Sequence, residues 1–112
     1  MVKFNVYDEV KFYWCNGWNI ESLKNLILDD YNGIKEGIDI CMVEDRNNLQ
    51  SAYLSVYDKK LWLTLNKHNK EDFDNDYENV KAIEIKNSDI ISLDLNNGIK
   101  QFMYEKFLEM KK

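Results

Sequence analysis

Proline is absent from these 112 residues, arginine and histidine occur once each, cysteine twice, and the four glycines are isolated from one another. Each scarcity closes a class of function. Isolated glycines cannot build the glycine-rich loops that cradle phosphates. A lone His68, with Cys15 and Cys41 at spacings that match no zinc or redox motif, leaves no ligand set for a structural metal. No cofactor is expected. No apolar run approaches the ~20 residues that span a bilayer, and the opening MVKFNVYDEVKF lacks the continuous apolar stretch of an export signal. The expectation is a cytoplasmic protein without membrane contact, its two cysteines reduced and buried.

Basic charge is short as well. Twenty acidic residues face fifteen basic ones, for a formal net charge of −5 and a pI near 4.9. Nucleic-acid affinity rests on Lys and Arg neutralising phosphates, so direct nucleic-acid binding is not expected. An acidic surface suits a basic partner protein, whose encounter it would speed. Lysine supplies all the basic residues but one, and asparagine is abundant while alanine is scarce. That is the usage of an AT-rich coding sequence, as in a low-GC bacterium or its phage.

What is present is apolar periodicity. Hydrophobic residues make up 45% of the chain, enough for one core without staples, so residues 1–112 are read as a single domain. The clearest stretch is Leu49 to Asn66. A turn at Asp58-Lys59 sets Tyr57 opposite Lys60, Val56 opposite Leu61, Leu54 opposite Leu63 and Ala52 opposite Leu65. One face is then wholly apolar, and the other carries Tyr53, Ser55, Tyr57, Trp62 and Thr64.

Upstream, Val2 to Cys15 alternates and reads as a hairpin turning at Tyr7-Asp8-Glu9. Asn19 then caps a helix carrying Ile20, Leu23, Leu26, Ile27 and Tyr31, which Asn32-Gly33 stops. Ile38, Ile40 and Met42 alternate in a strand ended by Arg46-Asn47-Asn48. Downstream of the central hairpin, residues 68–79 (HNKEDFDNDYEN) read as a long polar loop, and Val80–Lys86 with Ile90–Leu95 as a second hairpin around Asn87-Ser88-Asp89. At the end, Ile99, Phe102, Met103, Phe107 and Met110 fit a helix, although Asn97-Gly98 is also a strong hairpin signal. The fold class is α+β: an antiparallel β-sheet built from hairpins, one helix after the first hairpin and a C-terminal helix.

The most unusual segment is Glu71–Glu78. Counted from Asp72 as a calcium loop, it has Tyr77 where glycine is required and Ile83 where glutamate is required, so it is not an EF-hand. Its candidate role is contact with a basic protein, through Asp72, Asp74, Asp76 and Glu78 for charge and Phe73 and Tyr77 as apolar anchors. Tyr53, Tyr57 and Trp62 on the polar face of the central hairpin form a second candidate surface, for a partner or for a homodimer. His68 beside Asn66, Lys67 and Asn69 reads as an exposed strand end, with no motif pairing it to a nucleophilic serine, and no catalytic residue is assigned.

In these traits the chain is similar to bacterial immunity proteins, which block toxin domains, and to phage inhibitors of host defence such as anti-CRISPR proteins. The similarity is one of general character with no shared motif, so no functional residue carries over. It implies a non-catalytic inhibitor of a basic, nucleic-acid-acting target. The alternatives are an assembly subunit forming a homo-oligomer and a small carboxylate-dependent enzyme.

Overall fold

A computed structural model describes residues 10–95 and 97–111. Five strands form one antiparallel meander in chain order: β1 (Lys11–Trp14), β2 (Ile38–Asp45), β3 (Gln50–Tyr57), β4 (Lys60–Asn69) and β5 (Asp72–Ile85). Helix α1 (Ile20–Leu28) joins β1 to β2. The short α2 (Asn87–Ile91) and the longer α3 (Gly98–Lys111) follow β5. This is the α+β sheet-and-helix arrangement expected.

The central hairpin has the register read from its alternation: Ala52 opposite Leu65, Leu54 opposite Leu63, Val56 opposite Leu61 and Tyr57 opposite Lys60. Those six apolar side chains are buried beneath Leu23, Leu26 and Ile27 of α1, Ile90 of α2 and Ile99, Met103, Phe107 and Met110 of α3. Burial at that face contributes roughly 1.5–3 kcal/mol per large aliphatic side chain. The helices supply the second layer because each carries one apolar stripe, and the C-terminal segment is indeed a helix. Gly98 opens it in close contact with Leu93, whose Cβ an added Cβ would meet at 3.2 Å. That glycine serves close approach rather than a hairpin turn. Tyr104 adds a bond from its hydroxyl to the Val10 carbonyl, 2.7 Å.

Four expectations are corrected. First, α1 ends at Leu28 rather than Tyr31. Asp30 (φ 52°) and Tyr31 (φ 59°) are left-handed, and their N–H groups donate to the Ile27 and Leu26 carbonyls at 3.1 and 2.9 Å. That is a Schellman closure with aspartate where glycine is usual, and Tyr31 stays in the core although it has left the helix. The start is as read: Asn19 caps α1, its side chain accepting from the Ser22 N–H at 2.8 Å while Ser22 Oγ accepts from the Asn19 N–H at 2.9 Å.

Second, the register of β2 shifts between Asp39 and Cys41. Ile40 and Cys41 both point into the core, and Met42 turns to the outer face opposite Tyr53. A bulge adds one residue to a strand and so flips the parity of everything after it.

Third, residues 68–79 are not a loop. β4 runs through His68 to Asn69, and β5 starts at Asp72. β5 is the sheet edge and is exposed at nearly every position. Charge in such a strand carries no alternation, so edge strand and loop look alike in sequence.

Fourth, no second hairpin forms: Ile83 and Ile85 pair with Leu63 and Leu61, and Asn87-Ser88-Asp89 begin α2, as residues suited to helix starts as much as to turns. The Tyr31 hydroxyl donates to Asn87 Oδ1 and holds α2 to the end of α1. The expected Tyr7–Glu9 turn lies outside the described residues.

The turn between β3 and β4 is two residues long, with Asp58 at φ 54° and Lys59 at φ 56°. Both are left-handed, as the hairpin twist demands, a conformation that aspartate tolerates and lysine does not favour. Lys59→Gly is expected to raise stability by about 1 kcal/mol, read as a higher urea midpoint with an unchanged slope.

Candidate functional site

Among the described residues the helices cover one face of the sheet only, and the polar residues of the other face converge on two places. The first is the β4–β5 end. His68 is only 7% exposed, which corrects its reading as an exposed strand end. The cover is Phe73, whose ring stacks on the imidazole at 3.9 Å between centroids and 7° between planes. Tyr77 tilts against it at 5.1 Å. Arg46 lies over Phe73 at 4.3 Å and is clasped at 2.7 Å by both Glu44 and Asp74. Those two hydrogen bonds, Glu44 first, hold the guanidinium pKa above its ordinary value. The strand break that lets Phe73 fold back is visible in the register, where His68 pairs with Tyr77 but Asn69 pairs with Asp72.

Beneath this stack runs a chain of hydrogen bonds with one direction. His68 Nδ1 lies 2.6 Å from the Phe73 carbonyl, which can only accept, so Nδ1 carries the proton. In the neutral ring Nε2 then accepts from Ser51 Oγ, 2.7 Å away. Ser51 has spent its proton and can only accept from the Asn66 amide nitrogen at 3.4 Å. Base, hydroxyl and orienting carbonyl stand in the order that activates a serine nucleophile. Ser51 is fully buried, however, and a substrate cannot reach its Oγ in this arrangement. The network serves to lock the end of the sheet. Its pairing was legible in the register, which sets Ser51 opposite Asn66 with His68 two residues further along the same face.

The segment singled out for charge sits on this locked end. Asp72 accepts from Asn75 at 3.2 Å, Asp74 from Arg46, and Asp76 from the Asn69 amide at 2.7 Å. Glu78 and Tyr77 are exposed, Tyr77 by 49%. Phe73 is half-buried and occupied by His68 and Arg46. Asp72, Asp74 and Asp76 are therefore held in place, and of the two aromatics Tyr77 is the one offered to solvent.

The second place is a cavity of about 250 Å³ on that face, lined by Asp39, Tyr53, Ser55, Thr64, Asn66, Tyr77 and Asn79. Asp39 accepts from Ser55 Oγ at 2.7 Å. Burial first, then the negative charge of Cys15, Tyr77, Asp39 and Glu44, pushes the Tyr53 phenol up to about 12. Tyr57 and Trp62 do not line this cavity, although Trp62 pairs with Ser55, which does. The Trp62 indole donates to the Tyr57 carbonyl at 3.2 Å, and Tyr57 is 62% exposed. Tyr53, Tyr57 and Trp62 share one face of the hairpin, with Trp62 diagonal to both tyrosines.

Cys41 is fully buried and Cys15 half-buried, both as free thiols. Burial, then the neighbouring Cys15, raises the Cys41 thiol well above its ordinary pKa. Among the described residues no group of three or more His, Cys, Asp or Glu converges to hold a metal, and no helix is long and apolar enough to cross a membrane. A scan against protein-family models finds no match to this chain, and neither curated proteins nor solved structures match it.

Two outcomes are expected. Ser51→Ala leaves His68 Nε2 without its donor and costs about 1–3 kcal/mol, measured by urea unfolding. In alkali, Tyr31 and Tyr53 both ionise only near 12 in the fold, above their ordinary value of 10.0. The stability they contribute is complete below about pH 10 and is lost as pH rises through about 12. Tyr53→Phe should flatten that loss, followed by circular dichroism across the alkaline range.

Proposed function

We propose that this chain is a non-catalytic acidic binding protein that occupies the functional surface of a basic partner protein. A bacterial toxin domain and a nucleic-acid-acting defence enzyme met by a phage are the target classes that fit. The observation that carries the reading is the β4–β5 end. Five carboxylates lie between Glu71 and Glu78 without an intervening basic residue, four of them on an edge strand exposed at nearly every position. The stack of His68, Phe73 and Arg46 holds that strand rigid before any partner arrives, which lowers the entropic cost of docking. Charge complementarity would give such a surface its on-rate, and Tyr77 an anchor.

The same edge bears on the assembly alternative. A second copy pairing antiparallel with β5 about its acidic half would bring Asp72, Asp74, Asp76 and Glu78 against their own kind, and like charges facing across strands destabilise the pair. A basic partner meets no such opposition. Cytoplasmic residence is part of the proposal, consistent with free thiols at Cys15 and Cys41.

Reversal of Asp72, Asp74 and Asp76 to Lys breaks the Asp74–Arg46 pair and two exposed amide hydrogen bonds. Exposed pairs add little to stability, so the fold should survive with a modestly lower thermal midpoint. Affinity for a basic protein captured from the native host should fall on the order of a hundredfold, chiefly through slower association. Binding that survives the triple reversal, or that ignores salt concentration, would remove this surface from the account. Sedimentation equilibrium showing a stable homo-oligomer without a partner would favour assembly instead.

A further inference from the structure

β5 closes one side of the sheet, and no strand lies beyond it among the described residues. Which of its backbone groups are spent on β4 follows from the turn between β3 and β4. A two-residue hairpin loop closes on a hydrogen-bonded pair, here Tyr57 with Lys60, and bonded and non-bonded pairs alternate from there. Lys60, Trp62 and Thr64 therefore direct N–H and C=O to β3, while Leu61, Leu63 and Leu65 direct theirs to β5. Bonds outside the hairpin agree. The Val56 carbonyl, not used by β4, accepts from the Gly37 N–H at 2.8 Å, and the His68 N–H donates towards β3, to the Leu49 carbonyl at 2.8 Å.

The same parity carries to β5. Ile85, Ile83 and Lys81 stand opposite Leu61, Leu63 and Leu65 and spend their backbone groups on β4. Ala82 and Glu84 lie between them and direct theirs away from the sheet. Both residues are exposed, and no loop among the described residues bonds to their backbones. Each offers one donor and one acceptor. Register is unbroken from Lys81 to Ile85 and shifts only beyond, at Val80, so this regular edge is roughly 17 Å long.

The side chains decide what kind of strand fits. Ala82 and Glu84 lie on the face away from the helices, beside Thr64 and Trp62, and Lys81 and Ile83 lie on the helix side. An added strand would set a basic residue against Glu84, on a face from which Lys81 is absent. It would set an apolar one beside Ile83, which the core covers only in part. Past Val80 the same strand carries Glu78, Asp76, Asp74 and Asp72, so a chain running on in that direction continues to meet carboxylates. A second copy of this chain, with its own net charge of −5, matches that edge poorly.

We infer that β5 receives an extended segment of the basic partner as an additional strand, hydrogen-bonded to Ala82 and Glu84 and alternating basic with apolar side chains. Backbone bonds give such an addition its affinity, and alternate side chains its selectivity. The inference rests on the reading of a basic protein partner and adds to it how that partner is held.

The test uses the full chain and a blocked octapeptide alternating lysine with valine, followed by backbone NMR. Saturable shifts at Ala82 and Glu84 are expected, with slower exchange of their N–H groups with solvent. The lysines, on the face of Glu84, are the residues that bond to the edge. N-methylation of the lysines should therefore weaken binding roughly tenfold or more, and N-methylation of the valines should not. Replacing the lysines by glutamate should also weaken it. Ala82→Pro removes only an outward donor, which an edge strand tolerates, and should weaken the unmodified peptide to a similar degree while the spectrum keeps its native dispersion.

Absence of saturable shifts, or binding indifferent to N-methylation of the lysines, overturns the assignment. Protection of Ala82 and Glu84 that rises with protein concentration alone would make the edge an interface between two copies, and also overturns it. Should the captured partner bind wild type and Ala82→Pro alike but be lost by the Lys reversal at Asp72, Asp74 and Asp76, the basic-partner reading stands and the added strand falls. Should Ala82→Pro lose the partner while the triple reversal keeps it, the strand addition stands and the acidic surface falls.

Discussion

The pairing of Leu54 with Leu63, flanked by Val56 with Leu61 and Ala52 with Leu65, is the constraint on which the other elements rest. These side chains form the centre of the buried sheet face, and α1, α2 and α3 all close over it. Because strand side chains alternate, a slip of one residue would send Ser51, Asn66 and His68 under the helices and bring the leucines to the open face. Burying those polar groups without their partners and exposing the aliphatic layer would be penalised together. The register of one hairpin therefore decides both where the core lies and which residues are free to build a site.

On the open face a single carbonyl sets a sequence of orientations. Phe73 contributes twice, with its ring as the lid of His68 and its backbone oxygen as the acceptor that selects the imidazole tautomer. The consequence passes through Ser51 to Asn66 and ends at Asn66 Oδ1, a buried acceptor without a donor. Such buried networks act as units, because each donor has one place to go and a change at one member re-addresses the rest. Apolar packing occupies one side of the sheet and directed polarity the other.

Charge is distributed to the same end. Arg46, the sole arginine, is committed to Glu44, Asp74 and the Phe73 ring, so it organises the acidic edge rather than offsetting it at a distance. Exposed ion pairs of this kind add little to stability. Their effect is geometric: Asp74 is held against Arg46 on a strand that has no outer neighbour among the described residues.

Local physics alone determined the elements whose two faces differ. The central hairpin, the Asn19 cap of α1 and the amphipathic C-terminal helix were legible because each repeats apolar residues at its own period or ends in a residue with one capping role. The same register already placed Ser51 across from Asn66. Tertiary structure decided the rest, for reasons that leave no periodic trace. The bulge near Asp39 reverses the faces of β2, and Met42 exchanges core for surface by one inserted residue. β5 exposes both faces, so its acids carry no alternation, and only the hydrogen bonds of β4 make it a strand. Asn87-Ser88-Asp89 suits a turn and a helix start equally, and burial of Ile90 against α1 selects the helix. His68 is polar by sequence and buried in fact, because its cover comes from a phenylalanine five residues away that only a broken register can return to it.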